Sequence, residues 1–196
     1  MLFPSGCIIL SLCDHSGEWS KPYLEDGYDV RKLDLQAGDD VRLMRHIGPV
    51  YGVLAAPPCT MFCQGSAHLW RQRTDEQMIE ALSVVDACLR IAAVSNPVFW
   101  AVENSAGQLS KWLGPPAFSF HPYYYGDDWK KLTHLWGKFN PPRPHGVLEV
   151  GKSGAIENAK SVNGSRMNAR SVTPAGFARA FYEANSIRLT DNDGRA

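Results

Sequence analysis

The chain lacks a long apolar run. Its longest, Cys7–Cys13 and Val50–Ala56, are far shorter than the roughly 20 residues needed to cross a bilayer. No basic segment precedes the first of them, so a secretory signal is not expected, and a cytoplasmic location is. There is no CxxC pair, and the Cys59–Cys63 spacing lacks the histidine or second cysteine pair of a zinc site. The five cysteines form an odd set, best read as free thiols in a reducing compartment. Net charge is also lacking, with 20 basic and 20 acidic residues, so the protein does not coat nucleic acid by charge alone. No internal repeat is visible.

What is present suits one domain with a sizeable core: 196 residues, 44% of them apolar. The charge is unevenly spread. Residues 1–119 carry nine basic and thirteen acidic side chains, and residues 120–190 carry ten and five. A basic C-terminal part is suited to phosphates.

Short apolar runs alternate with helical patterns. Cys7–Asp14, Tyr28–Leu35, Val50–Ala56 and Val98–Glu103 read as strands. Glu18–Asp26, Asp39–His46 and Gly107–Leu113 read as short helices. The clearest helix is Thr74–Ser95, with Met78, Ile79, Leu82, Val85, Leu89 and Ala92 on one face. Phe118–Tyr125 and Thr133–Trp136 read as further strands, Asn140–Asn168 as a loop and Pro174–Ile187 as a closing helix. Such alternation predicts an α/β domain with a mostly parallel sheet. Ligands of these sheets bind at the carboxyl ends of the strands. Asp14, Asp34, Cys59 and Glu103 all fall there.

Two of these carry the chemistry. Cys59 follows Pro57-Pro58, which hold it on a stiff, extended segment. A thiolate adds readily at C6 of a pyrimidine and leaves carbanion character at C5. Glu103 is placed to hydrogen-bond N3 and the exocyclic amine of cytosine, which eases that attack. Asn104 is suited to hold the loop through side-chain to backbone bonds. Cys63 reads as structural. Trp70, Tyr123, Tyr124, Tyr125 and Trp129 are candidate base-stacking residues, of which one or two are expected to serve.

Ala55-Ala56-Pro57-Pro58-Cys59 resembles the Pro-Cys motif of the DNA cytosine-5 methyltransferases, and Val102-Glu103-Asn104 resembles their Glu-Asn motif. Ser11–Gly17 stands where that family has its first cofactor turn. Arg170-Ser171-Val172-Thr173-Pro174 resembles the Asn-Ser-Val-x-Pro motif before the last helix. The resemblance runs in order through nearly the whole chain. It implies a Rossmann-like class I S-adenosylmethionine-dependent fold over residues 1–190, with 191–196 a tail. It implies S-adenosylmethionine as cofactor, bound by Cys13, Asp14, His15, Gly17, Asp34, Asp40, Pro57, Ser171 and Val172. The catalytic residues it implies are Cys59, Glu103 and Asn104. The partner it implies is DNA with a flipped or single-stranded cytosine.

The departures are informative. The first turn has one glycine, Gly17. The stretch between Asp34 and Val50 is too short for the usual helix, strand and helix, so the third strand is expected to be missing or vestigial. The family's Gln-x-Arg-x-Arg motif is absent, and Lys131 or His134 is the candidate replacement cation. Asn140–Asn168, with Lys152, Lys160, Asn163 and Arg166, is the only room for a target-recognition region. Little sequence context is therefore expected. The size resembles phage and prophage members, which would put the protein in a host cytoplasm. Two alternatives stand. Pro57-Pro58-Cys59 with Cys63-Gln64 also resembles the active-site segment of thymidylate synthases, which modify a free nucleotide. A non-catalytic module binding DNA or a partner on the same fold is the other.

Overall fold

A computed structural model describes residues 6–45, 48–127, 129–146 and 172–187. Six strands form one sheet: β1 Ile8–Leu12, β2 Asp29–Leu33, β3 Gly52–Ala55, β4 Phe99–Ser105, β5 Phe118–Phe120 and β6 Thr133–Lys138. Their order is β2-β1-β3-β4-β6-β5. The first four are mutually parallel, whereas β6 runs antiparallel to both β4 and β5. The sheet is therefore mixed. Between Asp34 and Val50 the described residues hold two 3-10 turns, Leu35–Ala37 and Val41–Leu43, and no strand. β2 is the sheet edge on that side, as the short spacing predicts.

Helices α1 Lys21–Glu25 and α4 Ala175–Asn185 cover one face, and α2 Asp75–Ser95 covers the other. The short α3 is Ser110–Leu113. Thr74 starts α2 through a reciprocal capping box with Gln77, and Asp75 and Glu76 favour the positive end of the helix dipole. Asn96, left-handed at φ 44°, ends it. Pro22 lies in the first turn of α1, where its missing N–H costs nothing.

The first face is aromatic: Trp19, Tyr23, Phe99, Phe120, Phe177 and Phe181 are buried together, with Phe120 stacked on Phe177 at 3.8 Å. Aliphatic residues fill the second face, where Leu10, Leu12, Val53 and Val102 meet Ala87, Cys88, Ile91 and Ala92 of α2. A smaller cluster of Phe62, Val85, Leu109 and Trp136 lies under the segment after β3. Fully burying a side chain such as Phe62 contributes about 1.5–3 kcal/mol. It anchors the segment that carries Cys59.

Four sequence expectations need correction. Ile79 is exposed, because the first turns of α2 pack against Phe62 through Met78, Ala81 and Leu82 instead. The strand expected over Phe118–Tyr125 stops at Phe120, and Pro122–Tyr125 forms a 3-10 turn. The helix expected over Asp39–His46 is only the turn Val41–Leu43, capped by Asp40. β4 runs two residues further than expected, through Asn104 and Ser105. No helix among the described residues is long and apolar enough to cross a membrane.

Candidate active site

The carboxyl edge of the parallel strands is level. Leu33, Leu12, Ala55 and Val102 pair across β2, β1, β3 and β4. One residue further on lie Asp34, Cys13, Ala56 and Glu103. Strands lie about 4.8 Å apart, so Asp34 and Glu103 stand roughly 14 Å apart along one edge.

At the β4 end, Glu103 is met by Lys131, whose Nζ lies 3.8 Å from its Oε1, and both side chains are largely buried. Asn104 is wholly buried. Its Nδ2 donates to the Pro57 carbonyl at 2.9 Å. It therefore ties the end of β4 to the segment after β3, and does not itself face solvent. Pro57 is buried and receives that bond, whereas Pro58 is exposed.

Cys59 opens a tight turn. Its carbonyl accepts from the N–H groups of Phe62 and Cys63, both at 2.9 Å. Its thiol is held above the ordinary range by a hydrogen bond with Cys63 and by burial. Lys131 pulls it back down, while negative charge on Cys63 or Glu103 raises it further. Cys63 is shifted the opposite way, chiefly by the same hydrogen bond and then by donors from Ser66 and Gly65. Both shifts describe one shared proton, and the extra donors on Cys63 make it the more acidic partner. Cys63 is half-buried, and its backbone N–H closes the turn onto the Cys59 carbonyl.

Three further residues shape this turn, and sequence reasoning missed Arg73 and Gly107. Arg73 donates to the carbonyls of Thr60 and Met61 and to Ser66 Oγ, clamping the turn from beyond it. Ser66 Oγ donates to the Thr60 carbonyl at 2.8 Å and the Cys63 carbonyl at 3.0 Å. Gly107 forms an antiparallel bridge with Cys63. A Cβ there would overlap the Phe62 carbonyl and lie 2.9 Å from Cys63 Cα, so only glycine fits. The i,i+4 spacing of the two cysteines was a usable signal; the reach of Arg73 left none.

At the β1 end, Cys13 adopts a left-handed turn at φ 57°, and its thiol meets Cys88 in the core. Asp14 is buried and accepts from Ser11 Oγ at 3.0 Å, Ser16 Oγ at 2.9 Å and Gly17 N at 3.0 Å. Its carboxylate is used to shape the turn. Gly17 has φ 72°, and the Lys32 side chain lies against it. His15 is exposed, 3.8 Å from the mostly buried carboxylate of Asp34, which also accepts from Gln36 N at 2.8 Å. Asp40 is bound to the Arg42 guanidinium, which keeps its carboxyl below the usual range. Arg42 also pairs with Glu80. Val172 is half-buried ahead of α4, which reaches Trp19, just past the β1 turn, through Phe177 and Phe181. Ser171, Lys152, Lys160, Asn163 and Arg166 lie outside the described residues.

Of the aromatic candidates, Tyr125 and Trp129 are buried, while Trp70, Tyr123 and Tyr124 are half-buried. Tyr123 lies under Lys130, 5.8 Å from its ring centre. His134 points to Ser119, with Nδ1 and Oγ 2.8 Å apart, and not to Glu103.

No protein-family model matches this chain, and no curated protein does. Among solved structures, a candidate DNA modification methyltransferase encoded within an E. coli prophage shares its fold. The TM-score is 0.53 at 14% identity, covering 78% of this chain and 54% of that one. The chain spans about half the length of that protein, and the likeness is one of fold.

Proposed function

We propose that this protein transfers a methyl group from S-adenosylmethionine to C5 of cytosine in DNA, on a class I methyltransferase fold. The observation that carries this reading is the convergence of a thiol turn, a carboxylate and a lysine at one sheet edge. Lys131 and Glu103 are 3.8 Å apart, and Asn104, next to Glu103, holds Pro57 two residues before Cys59. The fold shared with a candidate DNA modification methyltransferase supports the same direction.

The residues present fit the cofactor. A ribose needs a carboxylate acceptor at the end of the second strand, and Asp34 stands there, mostly buried, on the level of Glu103. Asp14 and Asp40 are committed to other partners and would shape the cradle indirectly. When bound, the cofactor supplies an electrophilic methyl group.

The remaining steps belong to the chain. Cys59 gives up its proton and adds to C6, pushing an electron pair toward C5. Glu103, steadied by Lys131, hydrogen-bonds the N3 side of the ring and draws off the developing charge. Asn104 keeps the Cys59 segment against β4 through Pro57. After methylation the C5 proton passes to a solvent base, its bonding pair restores the C5–C6 double bond, and the C6–sulfur pair returns to Cys59 as thiolate.

A labelled-methyl transfer assay tests this, using duplex DNA, single-stranded DNA and dCMP with wild type and Cys59→Ala. Transfer to DNA by wild type alone is expected. Transfer to dCMP alone would establish nucleotide modification instead. No transfer, with S-adenosylhomocysteine still raising the melting temperature, would establish a binding module.

A further inference from the structure

The turn after β1 carries a cation that the site so far leaves unused. Lys32 is the next-to-last residue of β2 and pairs with Ser11 of β1. Paired residues of parallel strands share a face, as do residues two apart along one strand. Asp34 continues β2 in extended backbone, at φ −145° and ψ 138°, so Ser11, Lys32 and Asp34 lie on one face. The turn after β1 folds over that same face, because Ser11 Oγ donates to Asp14 at 3.0 Å. Lys32 reaches this turn. A Cβ added at Gly17 would lie 3.1 Å from both Cδ and Nζ of Lys32, so the ammonium rests on the bare backbone there. Any side chain at position 17 would push it away.

The nearby carboxylates are already engaged. Asp14 accepts from Ser11, Ser16 and Gly17 N. Glu18 meets Lys21 at 3.7 Å, and Asp34 meets His15 and Gln36 N. Among the described residues no carboxylate pairs with Lys32. Its side chain is exposed, so a ligand entering from the carboxyl edge can meet the charge. An acceptor for sugar hydroxyls and a free ammonium thus share one face beside one turn. A ligand that carries a ribose and, at its other end, a carboxylate matches both.

We propose that Lys32 binds the α-carboxylate of S-adenosylmethionine while Asp34 takes its ribose. The inference rests on that molecule being the cofactor. Lys32 acts as a compact point charge, and no bond is made or broken at it.

Calorimetric titration of the full chain with S-adenosylmethionine and with its decarboxylated form decides this, because the two differ only in that carboxylate. Wild type should bind the carboxylated form about tenfold more tightly, the size of one charge-assisted hydrogen bond open to solvent. Lys32→Met should weaken S-adenosylmethionine about tenfold and abolish the preference. It should not weaken the decarboxylated form, which has no anion for the ammonium to meet, and that retained affinity shows that the variant is folded. Lys32→Gln should behave alike. A preference that survives in both variants, or an equal loss for both ligands, would overturn the assignment. Binding of neither ligand by wild type would sink the proposed cofactor itself, and the role of Lys32 with it.

Discussion

Replacing Gly107 by alanine should disable the site from behind. Gly107 bridges Cys63, Gln108 N donates to the Phe62 carbonyl at 2.7 Å, and Gln64 N donates to the Ala106 carbonyl at 3.0 Å. An added Cβ would stand 2.8 Å from the Phe62 carbonyl carbon and 2.9 Å from Cys63 Cα, and nearer still to the Phe62 oxygen. All three neighbours are backbone, so no side chain can swing aside. Ordinary contact requires the Cys63 backbone to retreat by about half an ångström and the Phe62 carbonyl by about 1 Å. A misplacement of that size costs a reaction about a hundredfold, or about 2.7 kcal/mol of barrier. Overpacking and two weakened backbone bonds should cost about 2–4 kcal/mol of stability, lowering the melting temperature by roughly 5–10 °C in a domain of this size. Methyl-transfer rate and thermal unfolding are measured together. Gly65→Ala is the control, since its Cβ would meet only Cys63 Sγ at an unstrained 3.9 Å. If Gly107→Ala keeps wild-type rate and melting temperature, the turn is softer than its contacts imply and the rigid-site reasoning fails.

The clamp from beyond the turn makes a parallel case. Arg73→Ala should slow methyl transfer about tenfold or more, and Arg73→Lys should rescue it poorly, because one ammonium cannot span Thr60, Met61 and Ser66. Asn185 separates stability from chemistry. It is buried at the opposite sheet edge and bonds both backbone groups of Asn140 and the Phe181 carbonyl. Asn185→Ala should cost about 2–4 kcal/mol, read as a lower melting temperature, while the rate of the folded protein is unchanged. Burial lowers the pKa of His121 and His134 below the ordinary 6.5. Their unfolded forms therefore bind protons first as pH falls. The stability linked to their neutral forms is complete above about pH 6.5 and is lost toward the lower folded values. Melting temperature should drop on acidification through that window, and His121→Gln with His134→Gln should flatten the drop.

Much of this was legible because local pattern and burial agreed. Val50–Ala56 and Thr74–Ser95 became β3 and α2 almost as written, stopped by Pro57-Pro58 and started by the Thr74 box. Cys59 and Glu103 could be picked out because chain order alone puts strand ends at one edge. The extra length of β4 was not legible. Its pairing with β3 ends at Val102, but β6 continues the ladder through Glu103, Asn104 and Ser105, and that partner is distant in sequence. Asp40 reads from sequence as a cofactor residue, and its commitment to Arg42 is invisible in a string of letters. Arg73 and Gly107 act across gaps of more than ten residues, by side-chain reach and backbone crowding, and neither leaves a periodic trace.

The reversal of β6 matters more to the site than its place near the end of the sheet suggests. A parallel strand brings to the active edge only the residues at or beyond its C-terminal end. β3 delivers Cys59 in that way, and β4 delivers Glu103 close to its own end. An antiparallel strand brings there the residues ahead of its N-terminal end. Lys131 stands just before Thr133, the first residue of β6, and so arrives beside Glu103. Were β6 parallel, its six residues would carry Lys131 to the far edge, about 20 Å away. The thiol and the carboxylate arrive on parallel strands, whereas Lys131 reaches Glu103 ahead of a strand that enters from their side. Topology dictates this, because β5 runs with β4 and ends at this edge, so β6 starts from it.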